Sequence, residues 1–399
     1  MIKMFQNKIN KDPFRVFFSA GIVLGILGIA PWVKLLWNES GYPLIWHKFI
    51  MINGFMLAFV VGFLMTAIPR FTKTPFASTY EVWSGFVLLI VSTIALAFTK
   101  LGTHHLFVSL LCIFLIVFGL KRFLKRAENP PYTFLFVGIS IVLWFISNLL
   151  QGLAALDCID LGRWSVTWST LQSEGILLGL IIGVGGRLIP GILGWEEIVS
   201  HQRKVYEQPI SFIKVVPKSI MALVLLFFGS YFLQNYLNEL ALWIRLSVIL
   251  YIAFKMWRVY RLPPKRTRLS MGIWLTTWLF IFSAILPLCW NYGYSHSAHG
   301  YFISGFSLLT LLIATRVTLA HNSQGTALES TSKMIPTFVF LLVLSAATRI
   351  TAIIWPNQYT SHLAYASILW LAAIFIWSVV LIPEIFCLAE FKSEKKNGV

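Results

Sequence analysis

Charged residues are scarce in this chain, making up 12% of its 399 residues, and only 15 residues are acidic. Soluble globular proteins average about 25% charged residues, so the composition excludes an ordinary soluble domain. No polar segment is long enough to fold alone. The first hydrophobic segment lacks the small-residue cleavage site of a secretory signal, and we expect it to remain as a membrane anchor.

Cysteine is also rare, with Cys112, Cys158, Cys289 and Cys387 as the four examples. Their positions form no CxxC pattern and no Cys/His spacing typical of a zinc site. Cys158 and Cys289 are both expected near the outer face of a membrane. A disulfide between them is therefore an alternative to two free thiols.

Hydrophobic residues, in contrast, make up 58% of the chain. They form long runs separated by short polar stretches, a pattern typical of helical proteins that cross a membrane many times. We predict an all-α fold with a single integral membrane domain over residues 1–399 and about twelve transmembrane helices. The predicted spans are 15–37, 44–69, 79–98, 104–124, 132–151, 165–190, 217–236, 238–258, 268–290, 297–320, 334–355 and 362–388.

The net charge of +17 is explained by membrane topology. When both termini are placed in the cytoplasm, about 26 of the 32 Lys and Arg residues fall at the cytoplasmic ends of the spans, as the positive-inside rule requires. The largest basic clusters lie at 121–126 and 258–268. The distribution predicts contact with a lipid bilayer and excludes a nucleic-acid partner.

Spans two, six and ten end on similar sequences, "TAIPRF" at Arg70, "GGRLIP" at Arg187 and "ATRVTL" at Arg316. Their spacing of four helices favours three blocks of four helices each. The positive-inside rule alone would also place an arginine at each of these ends, so both interpretations stay open.

Histidines gather at the outer ends of the predicted spans. His47 and His299 each lie within the first turns of a long helix that enters from outside, and His296 shares a helix face with His299. Neutral imidazole is a common ligand of haem iron and of copper. The pattern predicts a metal or haem site at His47 and His299 with His296 in reserve, and interfacial histidines without a ligand are the alternative.

Three other histidines, His104, His105 and His362, lie at outer ends without comparable placement. For these we expect ordinary interfacial side chains in a half-wet environment.

Three charged residues fall within the apolar spans, where charge is costly and needs a partner. Arg349 lies near the outer end of span eleven, and we expect it to meet an acidic group, preferably a haem propionate. Arg245 lies near the outer end of span eight and Glu174 near the middle of span six. If Glu174, Arg245 and Arg349 instead line a substrate path, the protein is a cofactor-free multi-pass transporter.

Three separated segments carry a family resemblance. "WHKFIMINGFMLAFVVGFLMTAIPRFT" has a Trp-His pair, a glycine seven residues after the histidine, and then Gly-Phe-Leu-x-Thr-Ala-x-Pro. "GGRLIPGI" matches a Gly-Gly-Arg-x-Ile-Pro element, and "HGYFISGFSLLTLLIATRVTLAHNS" places His299 before Thr-Arg-x-(Ser/Thr)-Leu-x-His. In the order of these motifs and in helix number the whole chain resembles the NnrS family of membrane proteins.

The resemblance implies a haem- and copper-associated protein of the bacterial inner membrane that is linked to nitric oxide and nitrosative stress. One departure concerns copper: the family continues Trp-His-x-His-Glu, whereas this chain has Phe49 and Ile50 at the last two positions. We therefore expect haem as the cofactor, with copper as a second candidate. The resemblance does not say whether the protein is an enzyme.

A more distant likeness is to haem–copper oxidases, which have twelve helices in three blocks of four and axial histidines on helices two and ten. Those enzymes also bind copper through histidines on helices six and seven. The corresponding spans, 165–190 and 217–236, contain no histidine. Reduction of oxygen or nitric oxide at a haem–copper pair is therefore not expected.

Overall fold

The computed structural model describes residues 2–37, 41–206, 211–289, 294–322 and 325–386. Over these ranges the chain is all-α and contains no strand, which confirms the predicted fold class. In chain order the helices are α1 (Ile2–Lys11), α2 (Phe14–Trp37), α3 (Leu44–Thr72), α4 (Thr79–Ala97), α5 (Leu101–Leu124), α6 (Phe134–Ala155), α7 (Trp164–Leu193), α8 (Glu196–Tyr206), α9 (Phe212–Val215), α10 (Lys218–Leu233), α11 (Asn238–Tyr251), α12 (Arg268–Cys289), α13 (Ser295–Ala320), α14 (Leu328–Thr331), α15 (Met334–Ile354) and α16 (Pro356–Ile385).

Ten helices within the described ranges are long and apolar enough to cross a membrane, namely α2 to α7, α12, α13, α15 and α16. The protein is therefore a multi-pass membrane protein, but the predicted number of twelve spans is not confirmed. The span predicted at 217–236 corresponds to α10, which has 16 residues, and the span predicted at 238–258 corresponds to α11, which has 14 residues and continues directly into the π-helical turn Ile252–Met256. At 1.5 Å per residue, a 16-residue helix is about 24 Å long, and a hydrocarbon core is about 30 Å thick.

The chain divides into two compact units. The first unit comprises the residues up to Phe17 together with Ile52–Gly191 and Trp195–Tyr260. The second unit comprises Phe18–Met51, Ile192–Gly194 and the described residues from Arg261 onward. The three four-helix blocks do not appear as separate units, and the single membrane domain stays a prediction.

Close packing of α6 and α7 in the first unit depends on glycines of α7. A Cβ atom added at Gly183 would lie 2.6 Å from Cγ2 of Val137, and one added at Gly186 would lie 2.5 Å from Cγ2 of Thr133. The Thr133 hydroxyl donates to the Gly183 carbonyl at 2.7 Å. Small residues of this kind let transmembrane helices approach closely.

The second unit is organised around α16. Ser345 of α15 donates to the Ala366 carbonyl of α16 at 2.7 Å. The last turns of α2 pack against the same region through a buried apolar cluster of Trp32, Leu35, Ala352, Leu363 and Ala364. These contacts hold the end of α2 close to the start of α16.

Wide π-helical turns interrupt the regular α-helices. They occupy Ile50–Met56 in α3, Leu171–Gly175 in α7 and Gly300–Ser307 in α13, and another, Ile252–Met256, follows α11. π-helical turns are rare and occur frequently at functional sites. In α3 and α13 they begin within three residues of His47 and His299, and in α7 the turn includes Gln172 and Glu174.

The three arginines of the proposed repeat have different partners. Arg70 forms an ion pair with Asp12 at 2.6 Å, and Arg316 forms one with the buried carboxylate of Glu329. Arg187 donates to a backbone carbonyl of α8 at 2.9 Å. The sequence similarity therefore goes with ion pairs at Arg70 and Arg316 and with a backbone contact at Arg187.

Candidate functional site

Two of the predicted ligands come together in the second unit. His47 is the fourth residue of α3, and His299 is the fifth residue of α13. Their imidazole planes differ by only 5°, and their ring centroids are 6.4 Å apart. Both rings are partly exposed. The two helices thus present a parallel pair of histidines, which we call the histidine pair.

The protonation of the histidine pair follows from its hydrogen bonds. Nδ1 of His47 lies 3.0 Å from the Gly28 carbonyl oxygen, and Nδ1 of His299 lies 2.5 Å from the Ser295 carbonyl oxygen. Because a carbonyl oxygen can only accept, each Nδ1 carries the hydrogen and donates it. Each neutral ring therefore keeps its lone pair on Nε2. Histidines that bind metals are usually held in this way by their other ring nitrogen.

Aromatic side chains surround the histidine pair. The Trp32 ring meets the His47 ring at 85° with centroids 5.3 Å apart, and Phe302 lies edge-on to His299 at 5.3 Å. The indole nitrogen of Trp46 donates to the Leu27 carbonyl at 2.7 Å, which ties α3 to α2 beside His47. The surroundings are therefore apolar and aromatic, with the imidazoles as the polar groups between them.

Arg349 and His296 form a second contact in the same unit. Nδ1 of His296 lies 2.8 Å from Nη1 of Arg349 and 3.3 Å from the Arg349 carbonyl oxygen. Among the described residues, no carboxylate lies within ion-pair distance of Arg349. Because His296 lies three residues before His299, this contact brings the guanidinium to the first turn of α13.

A buried polar cluster in the first unit was not expected from the sequence. It consists of Asn53, His104, His105, Asn148 and Gln172, which we call the amide cluster. Each of these side chains is at most 1% exposed, so the expectation that His104 and His105 are half-wet interfacial side chains is wrong. They lie on α5, and their hydrogen-bond partners come from three other helices: Asn53 of α3, Asn148 of α6 and the Ser92 carbonyl of α4.

Hydrogen bonds connect the amide cluster throughout. The side-chain oxygen Oδ1 of Asn148 accepts from Asn53 Nδ2 at 3.1 Å, from His105 Nδ1 at 2.9 Å and from Gln172 Nε2 at 3.0 Å. The Asn53 amide nitrogen also lies 3.1 Å from Nε2 of His104, whose Nδ1 faces the Ser92 carbonyl at 2.8 Å. A fully satisfied buried network of this kind fixes one arrangement of its helices.

The remaining candidate residues are dispersed. His362 of α16 is partly exposed beside Thr348, which fits its expected interfacial role. Glu174 and Arg245 are buried in the first unit, whereas Arg349 belongs to the second.

The cysteines form no site in the described part of the chain. Cys112, Cys158 and Cys289 are all free thiols, and Cys387 lies outside the described residues. No group of three or more His, Cys, Asp or Glu side chains suited to a metal ion occurs in the ranges that the structure describes.

The long apolar helices define a multi-pass helical membrane protein, and the histidine pair gives it one candidate ligand site. Comparison with protein families is more specific: the model of the family described as NnrS protein matches residues 8–386. The chain therefore belongs to the NnrS family, as its motifs indicate. Comparison with the curated proteins gives no match.

The amide cluster allows a stability test. Asn148→Leu keeps the approximate size of the side chain but removes the oxygen that three buried donors share. One buried donor without a partner costs about 1–3 kcal/mol. We expect the free energy of unfolding to fall by at least that amount. Thermal unfolding of the purified protein in detergent measures the change.

Ser173→Ala is the matched control for Asn148→Leu. Ser173 is partly exposed next to Gln172 of the cluster, and its hydroxyl donates only to backbone carbonyls of its own helix α7. Equal losses of stability in the two variants would contradict the structural role of the amide cluster.

Proposed function

We propose that this chain binds haem through His47 and His299 and acts in the handling of, or the response to, nitric oxide. The observation that carries the proposal is the parallel pair of imidazoles with centroids 6.4 Å apart. Membership of the NnrS family supports the assignment at the level of the family.

The separation of the two rings fits a single metal atom between them. Bonds from histidine nitrogen to a metal are about 2 Å long, and each ring centre lies about 1 Å behind its nitrogen, so two imidazoles on opposite sides of a metal have centroids about 6 Å apart. The observed 6.4 Å agrees with this value. Carbonyl groups occupy both Nδ1 atoms, so Nε2 is the nitrogen that each ring can offer.

The number of ligands favours haem over a bare metal ion. A structural zinc ion takes four protein ligands and a catalytic zinc ion takes three, and the described residues contain no cluster of three. Haem brings its own equatorial nitrogens and needs only axial ligands from the protein. Phe49 and Ile50 occupy the positions at which the family motif has a second histidine and a glutamate, which leaves copper as the second candidate.

A haem held by this pair would supply an iron atom able to carry an electron or to bind nitric oxide. His47 and His299 would hold it from both sides as neutral donors, and Trp32 and Phe302 would limit the access of water. Two histidine ligands would suit electron transfer or sensing, and the iron would supply binding of nitric oxide if only one histidine held it.

We further place the protein in the bacterial inner membrane with both termini in the cytoplasm and the histidine pair near the outer face. The support is the excess of Lys and Arg at one set of helix ends. This placement is the same with ten spans as with twelve. Because α10 and α11 are consecutive, two crossings or none leave α12 to α16 in the same orientation.

The orientation can be measured with reporter fusions. A reporter fused to the C-terminus should behave as a cytoplasmic one, and a reporter inserted after Cys158, between α6 and α7, should behave as an external one. External behaviour of the C-terminal fusion would show an odd number of crossings and overturn the assignment.

The rival assignment is a cofactor-free transporter, which the burial of Glu174 and Arg245 at only 5% exposure favours. The visible spectrum of the purified protein separates the two functions. A Soret band that survives washing in detergent supports haem. Protein expressed with sufficient haem but lacking any such band would support transport.

Substitution of the histidine pair tests the haem ligands. His47→Ala and His299→Ala should each abolish or shift a low-spin haem spectrum, because each removes one axial nitrogen. His104→Ala should leave the spectrum unchanged, since this ring belongs to the amide cluster and bonds to Ser92 and Asn53. Unaltered spectra in both His47→Ala and His299→Ala would exclude these residues as ligands.

Arg349 tests the contact to a haem carboxylate. We propose that its guanidinium, which has no carboxylate partner among the described residues, pairs with a propionate. Arg349→Lys keeps the charge but loses the planar fork that binds a carboxylate with two hydrogen bonds. It should speed the loss of haem to an acceptor protein severalfold with little change in the melting temperature.

Thr351→Ala serves as the control for Arg349→Lys, because Thr351 is on the same helix and bonds only to backbone carbonyls of α15. Equal haem retention in Arg349→Lys and the parent would reject the propionate contact.

A further inference from the structure

A second unusual group lies in the first unit, apart from the histidine pair. Arg245 of α11 is only 5% exposed. Its Nε donates to the Ser230 hydroxyl at 3.0 Å, and its Nη2 donates to the Gln234 side-chain oxygen at 2.5 Å and to the Ser230 carbonyl at 3.3 Å. Every one of these acceptors is neutral, so the positive charge of the guanidinium is not balanced at contact distance.

The charge also has no ion pair. No carboxylate of the described residues lies within 4 Å of Arg245, and its Nη1 has no acceptor among them. A buried charge without a close counter-charge is strongly destabilising. An anion from solution would remove that cost.

Tyr231 lies beside Arg245 and provides a second hydrogen-bond donor. The guanidinium carbon of Arg245 lies 3.7 Å from the centre of the Tyr231 ring. The residue is 1% exposed, and its hydroxyl group is buried without any hydrogen-bond partner. A buried hydroxyl without a partner is itself costly. A charged donor and a buried donor without a protein partner therefore belong to residues in direct contact.

We propose that Arg245 and Tyr231 bind a small monovalent inorganic anion such as chloride or nitrate. The anion would accept from Nη1 of Arg245 and from the Tyr231 hydroxyl, which are the two donors that the described protein groups leave unsatisfied. One guanidinium balances one negative charge, which favours a monoanion. Burial of the Tyr231 hydroxyl excludes a large organic anion from contact with both donors.

The test is the thermal unfolding of the purified full chain in detergent with increasing sodium chloride, sodium nitrate or sodium gluconate at matched ionic strength. An anion that binds only the folded state raises its stability with concentration. The melting temperature of the parent should rise with chloride or nitrate well above the rise with gluconate, which is too bulky for the site. Equal rises with all three salts would overturn the proposal.

Tyr231→Phe is the decisive variant. It removes only a hydroxyl that has no protein partner, so the fold should be kept, while the apparent dissociation constant of the anion should rise about tenfold, which is about 1.4 kcal/mol. Arg245→Gln should abolish the specific effect. If Arg245→Gln does not fold, Tyr231→Phe still decides, and an unchanged response in Tyr231→Phe would overturn the site.

Arg163→Gln is the matched control. Arg163 is an exposed arginine of the same unit, and its Nη2 donates to the Tyr236 hydroxyl at 2.8 Å. Loss of this exposed pair should leave the response to chloride and nitrate intact. An equal loss of response in Arg163→Gln and Arg245→Gln would assign the effect to overall charge and overturn the buried site.

Discussion

A polar group that leaves water for the interior of a membrane protein must find another partner, or it costs several kcal/mol. The amide cluster meets this demand internally, with one amide oxygen of Asn148 serving three donors. In the histidine pair only one nitrogen of each ring has a protein partner: each Nδ1 donates to a backbone carbonyl, and each Nε2 remains available to a ligand. We propose ligands for the polar groups that lack a protein partner: iron for the two histidines, and a small anion for Arg245 and Tyr231.

Much of the fold could be predicted from the sequence, because hydropathy along a helix is a local property. Ten of the predicted spans correspond to long apolar helices, whereas α10 has only 16 residues, and α11 with the π-helical turn after it carries Glu239, Arg245 and Lys255. The positions of His47 and His299 near the start of helices that enter from one side predicted a similar depth. Their distance of 6.4 Å depends on how α3 and α13 pack and could not be read from either segment alone.

The amide cluster shows what sequence reasoning missed and why. Charged residues and histidines were the polar residues from which the buried sites were predicted, and Asn53, Asn148 and Gln172 belong to neither class. Uncharged amides within otherwise apolar runs are the signal that could have found it, because such groups bind to one another across membrane helices. Which amide meets which histidine still depends on α3, α5, α6 and α7 together.

The wide turn at Gly300–Ser307 follows His299 directly, and the one at Ile50–Met56 begins three residues after His47. Each residue of an α-helix rotates the chain by about 100°, so an extra residue in a turn changes the rotational phase of everything beyond it. The number of residues in each wide turn therefore determines which face α3 or α13 presents beyond it, relative to the direction of its histidine. A one-residue insertion or deletion in either turn would rotate the packing face by about 100° relative to the histidine.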